Sequence, residues 1–300
     1  MREPVLVETL GALRDRLAAA RGAGATIGFV PTMGALHAGH ARLIEAARPD
    51  CRCLVVSIFV NPLQFDREED LARYPRTLDA DVELCRSLGA DLVFSPAVPE
   101  MYPAPPACTV DVGRLGDHLC GRFRPGHFRG MATVVMKLLQ LVQPDAAYFG
   151  EKDAQQLAIV RRLVTDLNVP VTIVGVRTVR EEDGLAMSSR NRRLSTEERA
   201  LAPALYRALE AAAANISAGA ADAESITREA AARIPADPRL RLEYLDIVDP
   251  DEIQPVQHVA GPVLVAGALW VGETRLIDNI RCERPADPAR QPAAGRPASS

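Results

Sequence analysis

The chain has 300 residues, 48% hydrophobic and 25% charged, with a formal net charge of −4. This is the composition of a globular protein, and a chain of this length can bury about three-quarters of its unfolded surface without disulfide or metal staples. Three classes are thereby disfavoured: an integral membrane helix needs a run of about 18 apolar residues that is missing, a signal peptide needs an apolar core where MREPVLVETL carries acids, and a nucleic-acid binder needs a basic excess. A cytoplasmic protein with no membrane or nucleic-acid partner is expected.

A helical pattern from Leu10 to Arg21 follows Thr9, a fitting N-cap. Thr26 to Val30 reads as a short buried strand, and a helix follows from about His37 to Arg48, with Leu43, Ile44 and Ala47 at helical spacing. The run Leu54 to Val60 is continuously apolar, as for a strand covered on both faces. Helix Leu78–Leu88, strand Asp91–Phe94, an apolar helix Met131–Val142 ended by Pro144, strand Ala146–Phe149, helix Asp153–Leu167 and strand Val171–Val176 continue the alternation. Short apolar strands alternating with helices predict βαβ units and a parallel sheet, whose ligands bind beyond the carboxyl ends of the strands.

The pattern then changes. Ser195-Thr196-Glu197-Glu198 has capping-box spacing and opens a helix to about Ala214. A second helix covers Ala223 to Arg233, Arg241 to Val248 alternates as a strand, and Val263–Val271 and Arg275–Cys282 flank a hairpin candidate, Gly272-Glu273. The expected division is residues 1–186, a smaller unit 187–284, and a disordered tail 285–300 with no aliphatic side chain larger than Ala.

Six cysteines are scattered without a CxxC pair, so zinc spacing is missing. Cys51 and Cys53, two apart, are expected on one strand face as buried thiols. Among the 35 basic residues only Lys137 and Lys152 are lysines. Coding bias explains most of that imbalance, while a retained Lys suits a site needing a compact ammonium.

The chemistry lies directly after strands. In Pro31-Thr32-Met33-Gly34-Ala35-Leu36-His37-Ala38-Gly39-His40, two histidines three apart share a helix face in its first turn. Free N–H groups and the dipole favour anions there. Asn61-Pro62-Leu63-Gln64-Phe65 places amides past a buried strand, where they can orient a small polar ligand; Asn61 alone is equally an ordinary loop residue. Gly150-Glu151-Lys152-Asp153-Ala154-Gln155-Gln156 puts Lys152 at a helix N-terminus, against the dipole unless an anion compensates. Lys137, in an apolar helix, reads as a snorkelling residue. Thr178-Val179 and Met187-Ser188-Ser189-Arg190-Asn191 offer hydroxyls and a guanidinium for phosphate. Arg122 to Arg129 (RFRPGHFR) reads as a substrate-anion loop in preference to an RNA contact.

These strings resemble the pantothenate synthetases (pantoate–β-alanine ligases), of the HxGH-containing nucleotidyltransferase superfamily. The resemblance rests on PTMGALHAGH, NPLQF, HFRGMATVV, YFGEKDAQQ and GLAMSSRNRRL, in the family's order, and continues to about Cys282. It implies an α/β fold: a Rossmann-like parallel sheet with helices on both faces, followed by a smaller α+β C-terminal domain. It also implies ATP-dependent condensation of (R)-pantoate with β-alanine through pantoyl adenylate, giving pantothenate, AMP and pyrophosphate, with Mg2+ escorting the triphosphate and a homodimer as the common assembly. Carried over by motif, Met33, Gly34, Ala35, Leu36, His37, Ala38, Gly39 and His40 would line the nucleotide site, with His40 the residue usually called proton donor. Gly150, Glu151, Lys152, Asp153 and Val179 would bind ATP, and Lys152 would reach its phosphates. Met187, Ser188, Ser189 and Arg190 would form a mobile phosphate loop. Gln64 would hold pantoate and later β-alanine, and Gln156 would hold pantoate. The rival readings are a ligase for another acid or amine on this scaffold, an aminoacyl-tRNA synthetase, a catalytically silent nucleotide-binding regulator and an RNA-binding module.

Overall fold

The computed structural model describes residues 3–285. The expected tail lies outside the described residues from 286 onward.

Six parallel strands form the first sheet: β1 (Val5–Val7), β2 (Ile27–Thr32), β3 (Cys53–Ile58), β4 (Leu92–Phe94), β5 (Ala146–Gly150) and β6 (Thr172–Val176). Their order is β1-β4-β3-β2-β5-β6. From β2 the chain steps through β3 and β4 to one side, and later through β5 and β6 to the other. The gap above the paired β2 and β5 is thus the topological switch point, where open α/β sheets hold ligands.

Alternating side chains dress the sheet on both faces. Phe29, Val55 and Phe94 pack with the helices Leu10–Gly22, His127–Val142 and Ala154–Asp166. Val30, Val56 and Val93 pack with Ala38–Ala47 and Leu78–Ser87. That two-sided cover explains why β3 is apolar throughout and buried at every residue. Strand β1, three residues long on the sheet edge, is too short to announce itself by periodicity.

The second sheet is antiparallel, in the order β7 (Leu240–Val248), β8 (Pro262–Val271), β9 (Thr274–Glu283). The two-residue hairpin forms where expected, with Gly272 at φ +57°. A Cβ at Gly272 would stand 1.8 Å from Glu198 Oε1, so glycine meets both the turn geometry and the crowding. On one face, Val263, Val265 and Leu269 pack against Leu205 and Leu209 of the helix Ala204–Ser217. On the other, Leu264, Ala266 and Ala268 join the core of the first sheet together with Tyr244.

Two expectations are corrected. The capping box at Ser195 and Glu198 forms, but its helix ends at Leu201 and a second begins at Ala204, because Pro203 cannot donate to the helical ladder. Cys51 and Cys53 do not share a face: Cys53 faces the core with Phe29, whereas Cys51 packs with Val30 and Val56. Cys51 still belongs to the turn before β3, where its Sγ donates to the Ala47 carbonyl, so strand alternation has not begun. Among the described residues all six cysteines are free, and no helix is long and apolar enough to cross a membrane.

Candidate active site

A cleft of about 220 Å³ opens at the switch point. Met33, His37, Gly39 and His40 enter it after β2, Gln64 after β3, Gly150 at the end of β5 with Lys152, Asp153 and Gln156 after it, and Val179 with Met187 to Arg190 after β6. The remaining sequence-derived candidates are not on its wall. Gly34, Ala35 and Leu36 form the buried backbone of the loop below it, Ala38 is the first residue of the next helix, and Glu151 is turned toward Gly175 of β6.

The two histidines are fixed by their own backbone. His37 caps the helix Ala38–Ala47, its Nδ1 accepting the Gly39 N–H at 3.1 Å. His40 Nδ1 accepts the His37 N–H at 3.3 Å. Both Nδ1 atoms are therefore acceptors, and each neutral ring carries its proton on Nε2. The ring centroids lie 4.1 Å apart. Burial, then the Lys152 and Arg192 charges, lowers the His37 pKa to about 4. Burial, then His37, lowers that of His40 to about 3. At neutral pH the pair thus presents two N–H donors without net charge. Gly39 keeps them close: a Cβ there would come within 2.8 Å of His37 Cε1.

A buried carboxylate shapes the loop beneath. Asp81, 2% exposed, accepts the N–H groups of Ala35 at 2.9 Å and Leu36 at 2.8 Å and the hydroxyl of Thr77 at 3.2 Å. These bonds offset the left-handed conformations of Gly34 and Ala35, at φ +81° and +50°. The sequence analysis missed Asp81, although a signal existed. It stands between Leu78 and Cys85 on the buried stripe of its helix, where an acid needs a reason.

The Gln64 side chain is held from two sides. Its Oε1 accepts Asn61 Nδ2 at 3.0 Å, and its Nε2 donates to Met33 Sδ at 2.9 Å. Asn61 is 1% exposed, donates to the Gly130 carbonyl and accepts the Tyr102 hydroxyl, so it is a built part of the site. His127 donates from Nδ1 to the Gln64 carbonyl at 2.7 Å, leaving Nε2 to accept from Arg124 at 3.2 Å. Burial, then Arg124, lowers the His127 pKa to about 4. Arg124 also pairs with Asp66. Of the basic stretch 122–129, then, Arg124 and His127 reach the cleft and Arg122 instead lies over the Phe123 ring.

Neighbouring glutamines have separate fates. Gln155 is bonded to Cys120, Leu115 and His118 backbone groups, while Gln156 faces the cleft. Lys137 donates to the Met101 carbonyl and lies over the Tyr102 ring, away from the cleft. Lys152 takes part in none of the ion pairs among the described residues. Phe59, Met131, Val134, Val135 and Leu138 give the cleft an apolar part of its lining, a feature hidden in the sequence among ordinary core positions.

A family model described as pantoate-beta-alanine ligase matches residues 5–281. The chain belongs to the pantoate-beta-alanine ligase family. It is similar to a pantothenate synthetase structure from Thermus thermophilus, with a TM-score of 0.86 and 48% identity, covering 92% of this chain and 98% of that one. It is also similar to a pantoate-beta-alanine ligase from Francisella tularensis solved with a β,γ-ATP ligand and β-alanine, with a TM-score of 0.75 and 32% identity over 92% of this chain and 97% of that one. A bifunctional pantoate ligase/cytidylate kinase from Thermosynechococcus vestitus is 56% identical over 86% of this chain, and the chain spans 51% of that protein's length. The ligase family's fold is the one described here, a parallel six-stranded sheet followed by a small antiparallel one.

Proposed function

We propose that this chain joins (R)-pantoate to β-alanine at the expense of ATP, in two steps at the cleft. A pantoate carboxylate oxygen attacks the α-phosphorus, the bond to pyrophosphate breaks, and pantoyl adenylate forms. The β-alanine amine then attacks the activated carbonyl, AMP leaves with the bonding pair, and the amine loses a proton. The observation that carries this reading is one cleft lined both by two neutral imidazole N–H donors with Lys152 and Arg190, and by Gln64 and Gln156 with a set of apolar side chains. The first set suits a polyphosphate. The second suits a small hydroxy acid with a branched aliphatic body.

In this assignment His37 and His40 donate from Nε2 to phosphate oxygens as charge moves onto pyrophosphate, and Lys152 neutralises it. Gly150, Lys152, Asp153 and Val179 hold the adenosine side, and Met33, His37, Gly39 and His40 wall the nucleotide, with Gly34 to Leu36 shaping the loop beneath. Met187 to Arg190 close over the β- and γ-phosphates. Gln64 and Gln156 orient pantoate hydroxyl and carboxylate, and Gln64 then meets β-alanine. Among the described residues no group of three or more His, Cys, Asp or Glu stands together as a metal cage. The donors present fit a magnesium ion held by its nucleotide, with Asp153 the cleft carboxylate nearest in kind; the ion would screen phosphate charge. Residues 1–186 and 187–284 serve as two working units, in a cytoplasmic homodimer.

The test is exchange of labelled pyrophosphate into ATP without β-alanine. Exchange that requires pantoate supports the adenylate and the acid together. Folded, ATP-binding protein that exchanges with another acid and not with pantoate would overturn the substrate assignment.

A further inference from the structure

Two adjacent residues of β9 grip both loops that flank the nucleotide side of the cleft. Asp278, 5% exposed, takes the two Nη atoms of Arg180 at 2.6 and 3.0 Å. Arg180 also donates to the Gly184 carbonyl at 3.0 Å. Its guanidinium therefore ties off the segment between Val179 and Met187, which closes on itself by the Met187 N–H donating to the Val179 carbonyl at 2.9 Å. The Tyr206 ring lies 4.0 Å from the same guanidinium, so this Arg cannot swing freely. The next residue, Asn279, donates from Nδ2 to the carbonyls of both Glu151 and Lys152, each at 2.9 Å. The Asn279 N–H bonds back to Asp278 Oδ1 at 2.8 Å, which couples the two grips.

We infer that Asp278 and Asn279 are a positioning pair that sets the spacing between the loop carrying Lys152 and the loop leading to Met187–Arg190, so that the C-terminal sheet fixes the ATP site. The inference rests on the reading of the cleft as an ATP site. Each loop leaves a different strand of the first sheet, β5 or β6, and neither of these contacts requires the other loop. The pairing of β5 with β6 sets that separation only as far as Gly150 and Val176; beyond the strand ends a shared rigid element must hold it, and a strand paired with β8 along its whole length supplies one.

Asn279→Asp keeps the shape, removes the Nδ2 donor and turns a carboxylate toward two carbonyl oxygens. Displacing one loop by a fraction of an ångström should lower kcat/KM for ATP by about 10- to 100-fold in pyrophosphate exchange, while the KM for pantoate stays within about twofold. Asp278→Asn, which retains a neutral bond to Arg180, should move ATP in the same direction by less. Should Asn279→Asp fail to fold, Asn279→Ala gives the same readout. Unchanged kcat/KM for ATP in a folded variant, or equal losses for ATP and pantoate, would overturn the inference. Calorimetric ATP affinity, measured on wild type and variant alike, separates the two readings. Absent exchange with intact ATP binding defeats the ligase assignment and leaves the clamp to be judged by the affinity ratio, whereas a wild type that does not bind ATP defeats both.

Discussion

His37 and His40 are available as donors because their backbone bonds use up Nδ1 and leave Nε2–H free. Replacing His40 with Ala removes one preorganised donor from the cleft, a loss that typically costs about 100-fold or more. Pantoate-dependent exchange should fall by at least that factor in His40→Ala while the circular dichroism spectrum is kept; near-normal exchange would take His40 out of the chemistry. The same burial has a pH consequence. His37, His40 and His127 are held at about 4, 3 and 4, below the usual 6.5 of the unfolded chain. Between those values the unfolded state binds more protons, so stability rises with pH. The contribution is complete above pH 6.5 and is lost as pH falls toward 4. Midpoint temperatures measured from pH 7 to 4 should drop, and drop less steeply in the double variant His37→Asn/His40→Asn; parallel curves would refute the assignment. The histidine pair was legible in the sequence because both residues lie within one motif. Asp81 was legible only as an acid on a buried stripe, not in what it holds, since its partners are backbone amides some 45 residues away, a pairing that no local spacing encodes.

Among elements, the helix His127–Val142 does more than fill the core. It packs Gly130 directly on the turn Pro62–Gln64: a Cβ at Gly130 would sit 2.0 Å from the Leu63 carbonyl oxygen and 2.8 Å from the Gln64 N–H nitrogen. Backbone cannot yield as a side-chain tip does, so Gly130→Ala must push helix and turn apart, at a cost of about 1–3 kcal/mol. The displaced turn carries Gln64, and its Asn61 brace ends on the Gly130 carbonyl. The expected outcome is a lower melting temperature and a pantoate KM raised about tenfold or more, with ATP affinity spared; equal effects on both substrates would contradict this account. In the sequence the helix reads only from Met131 onward, although Phe128 already stands at helical spacing with Met131, Ala132 and Val135; the charged residues around it and Gly130 make its first turn read as part of a basic loop. The central strands and their helices, by contrast, were readable from pattern alone, since a sheet covered on both faces writes its burial into every residue. Pro203 shows the reverse failure, a break stated plainly in the sequence and outweighed there by apolar periodicity on either side.

At the scale of the molecule, one core joins both sheets. Tyr244, Leu264 and Ala266 from the second sheet pack in the same cluster as Phe29 and Val55 from the first, and Tyr244 stacks on Phe123 with ring centroids 5.7 Å apart. Neither sheet can separate without exposing the other, so unfolding should be a single cooperative event despite the change of architecture along the chain. Trp270, the sole tryptophan, lies on β8 with its Nε1 donating to Glu243 at 2.9 Å, outside the cleft lining. Its fluorescence therefore reports the second sheet, while far-ultraviolet circular dichroism is dominated by the helices, most of which dress the first. The two thermal transitions should coincide. ATP at about 100 times its dissociation constant stabilises the native state by about 2.7 kcal/mol, and it should raise both midpoints equally although its proposed site lies among loops of the first sheet. A Trp270 transition that stays put while the circular dichroism midpoint moves would mean that the sheets unfold separately. In that event the shared core and the β9 contacts to the nucleotide loops would be too weak to couple them.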